Sequence, residues 1–426
     1  MKRFLLPLVA GLLSCAFSSR SAEAPPGAVV NYLRTHQATV DPAGNAGAEL
    51  LDLAGKEIFL CGEIHGVAAT NAVDLNLLRY LHAHAGVRTY ISEISSSHAE
   101  CLNRYLATGD ETLLDFLFSR MNHVNDRSRD KRQFWIDLRA WNQSLPAADR
   151  VRIAGVDLER FQPEITVAAM QRLLQGRAVP PEISAAVQRV EQITPHAGDE
   201  TVKTAIDALE TSVATYRARY ATLLAEQLTD LDLAVANLKQ RFRCFGDRAH
   251  FDAIREQAME ENFRVIAAHT GKGNFYGRMG SAHMLQRRFD DCDRFAARLG
   301  ATGSPWQGKV LTIWPLYLDC ENLAFRNGHY THVPCNDDPV LVAPFAEAAK
   351  GGNGSIALFK LDGPGSPFWQ RRGEKGGLWI WRDDRFSLEG RGRGMFPGSG
   401  GFAGGAVADY FQYVVLFRGV RAAESL

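Results

Sequence analysis

Between Ile58 and Glu93 the chain reads IFLCGEIHGVAATNAVDLNLLRYLHAHAGVRTYISE, and no other stretch narrows the fold as much. Ile58 to Leu60 is a short apolar run, consistent with a buried strand. It stops at Gly62, and Glu63 and His65 follow at once, with Thr70 and Asn71 just beyond. Val73, Leu77, Leu78, Leu81 and Ala85 then recur at helical spacing, and Gly86 supplies the φ > 0 position that often closes a helix. Thr89 to Ile91 opens a second apolar strand that ends in Glu93. This is a strand–helix–strand unit of the length a parallel crossover needs. Glu63, His65 and Glu93 all leave the carboxyl ends of strands, the edge where open α/β sheets bind ligands. The pattern predicts that they share one cleft.

The same logic recurs downstream. Val151 to Val156 is an apolar strand ending in Asp157. Ile254, Ala258, Phe263 and Ile266 form the apolar side of a helix that also carries Arg255, Glu256 and Asn262. A strand over Gly273 to Met279 follows, and it ends in Gly280-Ser281-Ala282-His283. Val310 to Trp314, Ser355 to Leu361, Leu378 to Trp381 and Phe411 to Phe417 read as further strands, and Gly390 to Gly405 as a loop without phosphate-loop order. The expected fold is α/β: two similar βαβ-containing halves, residues 25–159 and 246–426, forming a mixed central sheet flanked by helices. Ala99 to Leu117 and Phe134 to Leu145 read as helices. The polar run Asn122 to Arg132 between them reads as a solvated loop and a candidate lid.

Residues 160–245 read as a helical insertion. From Gly198 to Gly246 the chain has no interior Gly or Pro, and Val202, Ile206, Leu209, Val213, Tyr216, Tyr220 and Leu223 step by four and three. After one step of five, Leu228, Leu231, Val235, Leu238 and Phe242 resume the stripe. The expectation is one long helix of roughly 60 Å, serving as a structural arm, a homodimer contact or a cap over the site.

Lys2 and Arg3 precede the apolar run Phe4 to Leu13, which reads as an export signal over residues 1–24. Leu12-Leu13-Ser14-Cys15 has the form of a lipobox, so the mature chain is either lipid-anchored at Cys15 or cut near Ser18 to Ala24, and in both cases exported, to the periplasm or its membrane. In an oxidising compartment the other six cysteines favour disulfides, first Cys320–Cys335 and then Cys244–Cys292. The 48 basic and 48 acidic side chains balance, with no basic arm, so nothing favours nucleic acid. The expected partner is a small-molecule or peptide substrate.

His65, His283, Glu63, Glu93 and Asp157 therefore gather at one predicted sheet edge. Two chemistries use such a set. A neutral His accepts a proton from water while a carboxylate orients its ring, with Arg255 or His283 holding the developing oxyanion. Alternatively Glu63, His65, Glu93 and His283 bind a divalent ion such as Mn, Fe, Co or Zn that activates water. The chain has no G-x-S-x-G, H-E-x-x-H or C-x-x-C.

Gly62-Glu63-Ile64-His65-Gly66, the helix with Leu77-Leu78-Arg79-Tyr80-Leu81, the strand ending in Glu93, Arg255-x-x-x-Met259-x-x-Asn262 and the strand before His283 together resemble the erythromycin esterase-like family. That family belongs with the ChaN-type haem-binding and Tiki/TraB proteins in one superfamily. The resemblance covers residues 55–95 and 250–290. It implies His65 as general base, with Glu63, Glu93 and His283 around it. Only Ile64 separates Glu63 from His65, where the esterases usually have two residues, and Asp74 stands where they usually have Arg. Both departures lean toward the ChaN and Tiki side, where haem or metal binding and metal-dependent peptide cleavage are known. The resemblance thus implies a hydrolase of esters, lactones or amides, or else a haem- or metal-binding surface protein.

Overall fold

The computed structural model describes residues 27–41, 47–121, 125–160, 163–271, 273–289, 292–337, 339–352, 354–369 and 406–426. The export segment with Cys15, the expected strand Leu378 to Trp381 and the glycine-rich loop Gly390 to Gly405 lie outside them. In chain order the first elements are α1 (Gly27–Thr35), β1 (Gln37–Thr39), β2 (Ile58–Glu63), α2 (Ala68–Ala85) and β3 (Val87–Ser92). Next come α3 (Ser96–Thr108), α4 (Glu111–Arg120), α5 (Arg129–Ser144) and β4 (Arg152–Gly155). Five helices follow, α6 (Pro163–Leu174), α7 (Pro181–Glu191), α8 (Asp199–Thr215), α9 (Arg217–Leu224) and α10 (Leu228–Gly246). The chain continues with α11 (Phe251–His269), β5 (Asn274–Gly280), α12 (Phe295–Leu299), β6 (Val310–Leu318), β7 (Glu321–Arg326) and β8 (His329–Pro334). It closes with α13 (Pro339–Ala348), β9 (Ile356–Lys360) and β10 (Tyr413–Arg418).

Eight strands form the central sheet in the order β1-β9-β10-β6-β2-β5-β3-β4. From β10 to β4 every pairing is parallel, while β9 runs antiparallel to both β10 and β1. This is the expected α/β class with a mixed sheet. All six residues of β2 are buried, because β5 and β6 flank it and helices cover both faces. Phe59 and Cys61 point into a core with Tyr90 and the apolar sides of α2 to α5. Ile58 and Leu60 point the other way, onto Met259, Phe263 and Phe295. The two halves interleave, since β5 pairs on one side with β2 and on the other with β3. The carboxyl ends of β2, β5, β3 and β4 are therefore consecutive along one edge.

The apolar stripe over residues 198–246 is not one rod. The helix breaks at Tyr216 (φ −117°, ψ 37°) and again at Ala225, whose φ is 50°. The second break falls inside the five-residue step from Leu223 to Leu228, where a heptad stripe would leave its face. As a result α8 and α10 pack on each other, and α6 to α10 share one apolar cluster. Asn237 on α10 accepts hydrogen bonds from the Ser96 amide (3.0 Å) and hydroxyl (2.9 Å), which seats this layer on α3.

The stretch between Cys320 and Cys335 forms the antiparallel hairpin β7–β8. Its turn residues Asn327 (φ 51°) and Gly328 (φ 85°) both take left-handed conformations, as a two-residue hairpin turn requires. The Cys335 amide donates to the Cys320 carbonyl at 2.8 Å, so the two cysteines face each other at the hairpin's open end. No disulfide is formed among the described residues, and Cys244 packs with Leu158 and Ile254. The hairpin does work for the site. Leu323 N–H donates to the Gly66 carbonyl (2.9 Å), Asn322 Nδ2 to the His65 carbonyl (3.1 Å) and Phe325 N–H to Asn125 Oδ1 (3.2 Å). The C-terminal residues tie the same two loops together, through Ala423 N–H to Gly66 O and Arg129 N–H to Glu424 O, both 2.8 Å.

Candidate active site

The turn after β2 places His65. Gly66 has φ +86°, and a Cβ there would stand 2.4 Å from the Leu323 carbonyl oxygen, so only glycine turns the chain against the hairpin. The His65 side chain is 32% exposed at the mouth of a pocket. Its Nδ1 lies 3.1 Å from Glu63 Oε1 and 3.4 Å from Asp126 Oδ2, and its Nε2 lies 3.6 Å from Glu93 Oε2. Three carboxylates thus surround one imidazole.

Glu93 is fixed from behind. Its Oε2 accepts the Gly280 amide at 2.7 Å. Its Oε1 accepts from Arg255 Nη2 at 2.5 Å and lies 3.5 Å from His283 Nε2. Arg255 is held in turn by Asp157, at 2.9 and 2.6 Å, and His283 Nδ1 by Glu256 Oε1 at 2.8 Å. The sheet edge therefore brings Glu63, His65, Glu93, Asp157, Arg255 and His283 together, in two layers. His65 and the carboxylates that touch it face the pocket. Arg255 and His283, 7% and 5% exposed, stand behind Glu93, where their contacts fix that carboxylate.

Asn262 and Asp74 sit outside this arrangement. Asn262 Nδ2 donates to the Val156 carbonyl (2.9 Å), tying α11 to the end of β4. Asp74 is buried under the sheet edge, accepting from Tyr90 (2.6 Å) and Tyr276 (2.8 Å), 3.4 Å from Arg278 Nε. Burial pushes its pKa up against the pull of Arg278. The same Arg278 Nε is 3.2 Å from Glu63 Oε2, so one guanidinium joins the two carboxylates.

Charge is strongly organised here. Burial disfavours an imidazolium at His65, yet Asp126 and Glu63 hold its pKa well above the ordinary histidine range. Burial likewise opposes a charged His283, but Glu256 and Glu93 raise it to about 9. Glu93 and Asp126 would be pushed up by burial; Arg255 and His283 hold Glu93 well below the usual carboxylate range, and His65 does the same for Asp126. His98, also in the pocket, goes the other way: burial and Lys131 drive it down to about 4, so it is neutral at pH 7.

Asp126, Lys131, Arg278 and His98 join the site without having been singled out in the sequence. Asp126 and Lys131 lie in the polar run 122–132, whose second part is not loop. Ser128 caps α5 by accepting from the Lys131 amide at 3.0 Å, and this S-x-x-K start was readable as a helix N-terminus. Arg278 had a signal too, as a charged residue within an apolar strand.

Ligand atoms of Glu63, His65 and Asp126 lie within 4.8 Å of one another, close enough for a divalent ion. That grouping keeps Glu63 and His65 of the four ligands expected from sequence and adds Asp126. It uses the Nδ1 side of the ring, while Glu93 and His283 lie on the Nε2 side.

No family model and no curated protein matches this sequence. Solved structures match its fold. A Bacillus cereus protein superposes with a TM-score of 0.68 at 13% identity, over 94% of this chain and 98% of its own. A succinoglycan biosynthesis protein gives 0.62 at 11% identity, over 95% and 100%. A mutant of the erythromycin esterase EreC in its open conformation gives 0.54 at 13% identity, over 88% and 92%. The chain thus has an erythromycin esterase-like α/β fold.

Proposed function

We propose that this protein is a hydrolase in which His65 activates water to cleave a carboxylic ester, lactone or amide. The observation that carries the reading is the two-sided setting of the His65 ring. Nδ1–H donates toward Glu63 Oε1 at 3.1 Å, which fixes the tautomer with Nε2 as acceptor. Nε2 faces Glu93 Oε2 at 3.6 Å, a spacing that suits one water held by both. Neutral His65 takes the water proton at Nε2 as the oxygen attacks the carbonyl. Glu63 and Asp126 stabilise the imidazolium, which then returns the proton to the leaving group. The fold shared with an erythromycin esterase supports the class and leaves the substrate open.

The test is a panel of p-nitrophenyl esters, lactones and peptides against wild type and His65→Ala. Turnover in the wild type that vanishes in a folded His65→Ala supports the reading, and equal turnover in both removes it.

A metal-dependent hydrolase is the second reading, because the Glu63, His65 and Asp126 ligand atoms converge. These residues would hold the ion, and when bound it would lower the pKa of a coordinated water. The positive charge of Arg278 against Glu63 opposes it. Elemental analysis of chelator-free protein separates the two: stoichiometric metal lost in Asp126→Asn favours the ion, and none favours His65 alone. A haem-binding role fits less well, because both ring nitrogens of His65 face carboxylates.

A further inference from the structure

We propose that Lys131 and His98 form an anion subsite in the same pocket, and that the substrate is an ester, lactone or amide carrying a free carboxylate that docks there. The inference rests on the hydrolase reading for the bond cleaved, but not for the anion site. Both side chains line the pocket with His65, Glu93 and Asp126. Both are more than nine-tenths buried, at 7% exposed for Lys131 and 6% for His98. Neither side chain has a hydrogen-bond or ion-pair partner among the described residues, where these two residues hydrogen-bond through their backbone amides. Lys131 Nζ instead rests over the rings of Phe134 (4.8 Å) and Trp135 (5.2 Å).

Buried lysines are rare unless paired, and an ammonium has three donors to satisfy. Ring faces replace only part of its hydration. The neighbouring carboxylates are committed: Asp126 to His65, and Glu63 to His65 and Arg278. The Ser128 cap on its amide sets the Lys131 backbone in the first turn of α5, which fixes where the side chain enters the pocket. An incoming carboxylate would complete it and take an N–H from neutral His98. Leu102, Leu117, Phe118 and Trp135 give the wall an apolar part that suits an aliphatic or aryl stem, while Ser92 and Arg278 also line it. A single negative charge fits better than a phosphate dianion, because Glu63, Glu93 and Asp126 line the same space.

Hexanoate and hexanamide, equal in length and differing in charge, are the probes. Titration calorimetry with the full-length protein should give hexanoate an advantage of about tenfold or more over hexanamide. Lys131→Met should abolish that preference, and Lys131→Arg should keep most of it. Equal binding of the two probes by wild type, or an undiminished preference in folded Lys131→Met, overturns the proposal. If Lys131→Met does not fold, the wild-type comparison and Lys131→Arg decide it. Hexanoate preference without any ester turnover would sustain the subsite and refute the hydrolase reading instead.

Discussion

Glu93 Oε2 stands 3.6 Å from His65 Nε2 and accepts the Gly280 amide at 2.7 Å, so the carboxylate facing the imidazole cannot rotate away from it. Gly280 makes this possible: a Cβ there would lie 3.3 Å from Glu93 Oε2 and 3.7 Å from His65 Nε2, in the space the water would use. If the pair orients that water, Glu93→Gln should cut kcat by on the order of 10²–10³ and leave KM nearly unchanged. Steady-state kinetics on an ester found in the substrate panel measures both. An unchanged kcat would take Glu93 out of the chemistry.

The charge around His65 sets a pH dependence. Its pKa is raised well above the ordinary histidine value, and it must be neutral to accept a proton. Activity should therefore climb with pH through the neutral range, falling about tenfold per unit below the controlling pKa. Asp126 is the largest contributor raising that pKa, with Glu63 next. Asp126→Asn should move the acidic limb of the kcat/KM profile to lower pH and raise activity near pH 7. A limb that stays in place would show that another group controls it.

How much of this was legible before the structure follows from where each residue sits. Glu63, Glu93, Asp157 and His283 end apolar runs, and strand ends are set by local hydrophobic pattern, so their shared edge could be read from sequence. Their division into a pocket layer and a supporting layer could not, because Arg255 reaches Glu93 across 162 residues and His283 reaches Glu256 only once α11 packs on β5. The helix over residues 198–246 misled for a different reason. A heptad stripe reports which face is buried, and it is equally satisfied by three shorter helices that share one apolar cluster. Asn327-Gly328 carried a direct hairpin signal, masked by the polar character of β8, of which all six residues are at least partly exposed.

Arg278 should be the most sensitive buried charge in the fold. It is 3% exposed and lies within 3.2 Å of Glu63 and 3.4 Å of Asp74, and its Nη2 donates to Asn71 at 2.9 Å. Replacing it with methionine strands two buried carboxylates, a loss of about 3–5 kcal/mol. Asp74→Asn added to Arg278→Met should recover part of this by removing one uncompensated charge. Urea midpoints of the single and double variants test the coupling. A double variant no more stable than Arg278→Met would mean that Asp74 does not depend on Arg278 for its charge.

His283 links the supporting layer to pH through stability rather than rate. Its pKa rises from 6.5 to about 9 on folding, because the imidazolium lies between Glu256 and Glu93. A raised folded-state pKa stabilises the native state fully below the unfolded value. That contribution is lost as pH climbs through the folded value. The protonated ring should therefore add up to about 3 kcal/mol at pH 6 and progressively less toward pH 9 and above. His283→Gln keeps a donor toward one carboxylate but does not titrate, so its stability should change less than that of wild type between about pH 6 and 9.5. Urea unfolding at a series of pH values compares the slopes. Parallel curves for the two proteins would place the alkaline loss elsewhere, with His65 as the next group to replace, since its pKa is raised in the same direction.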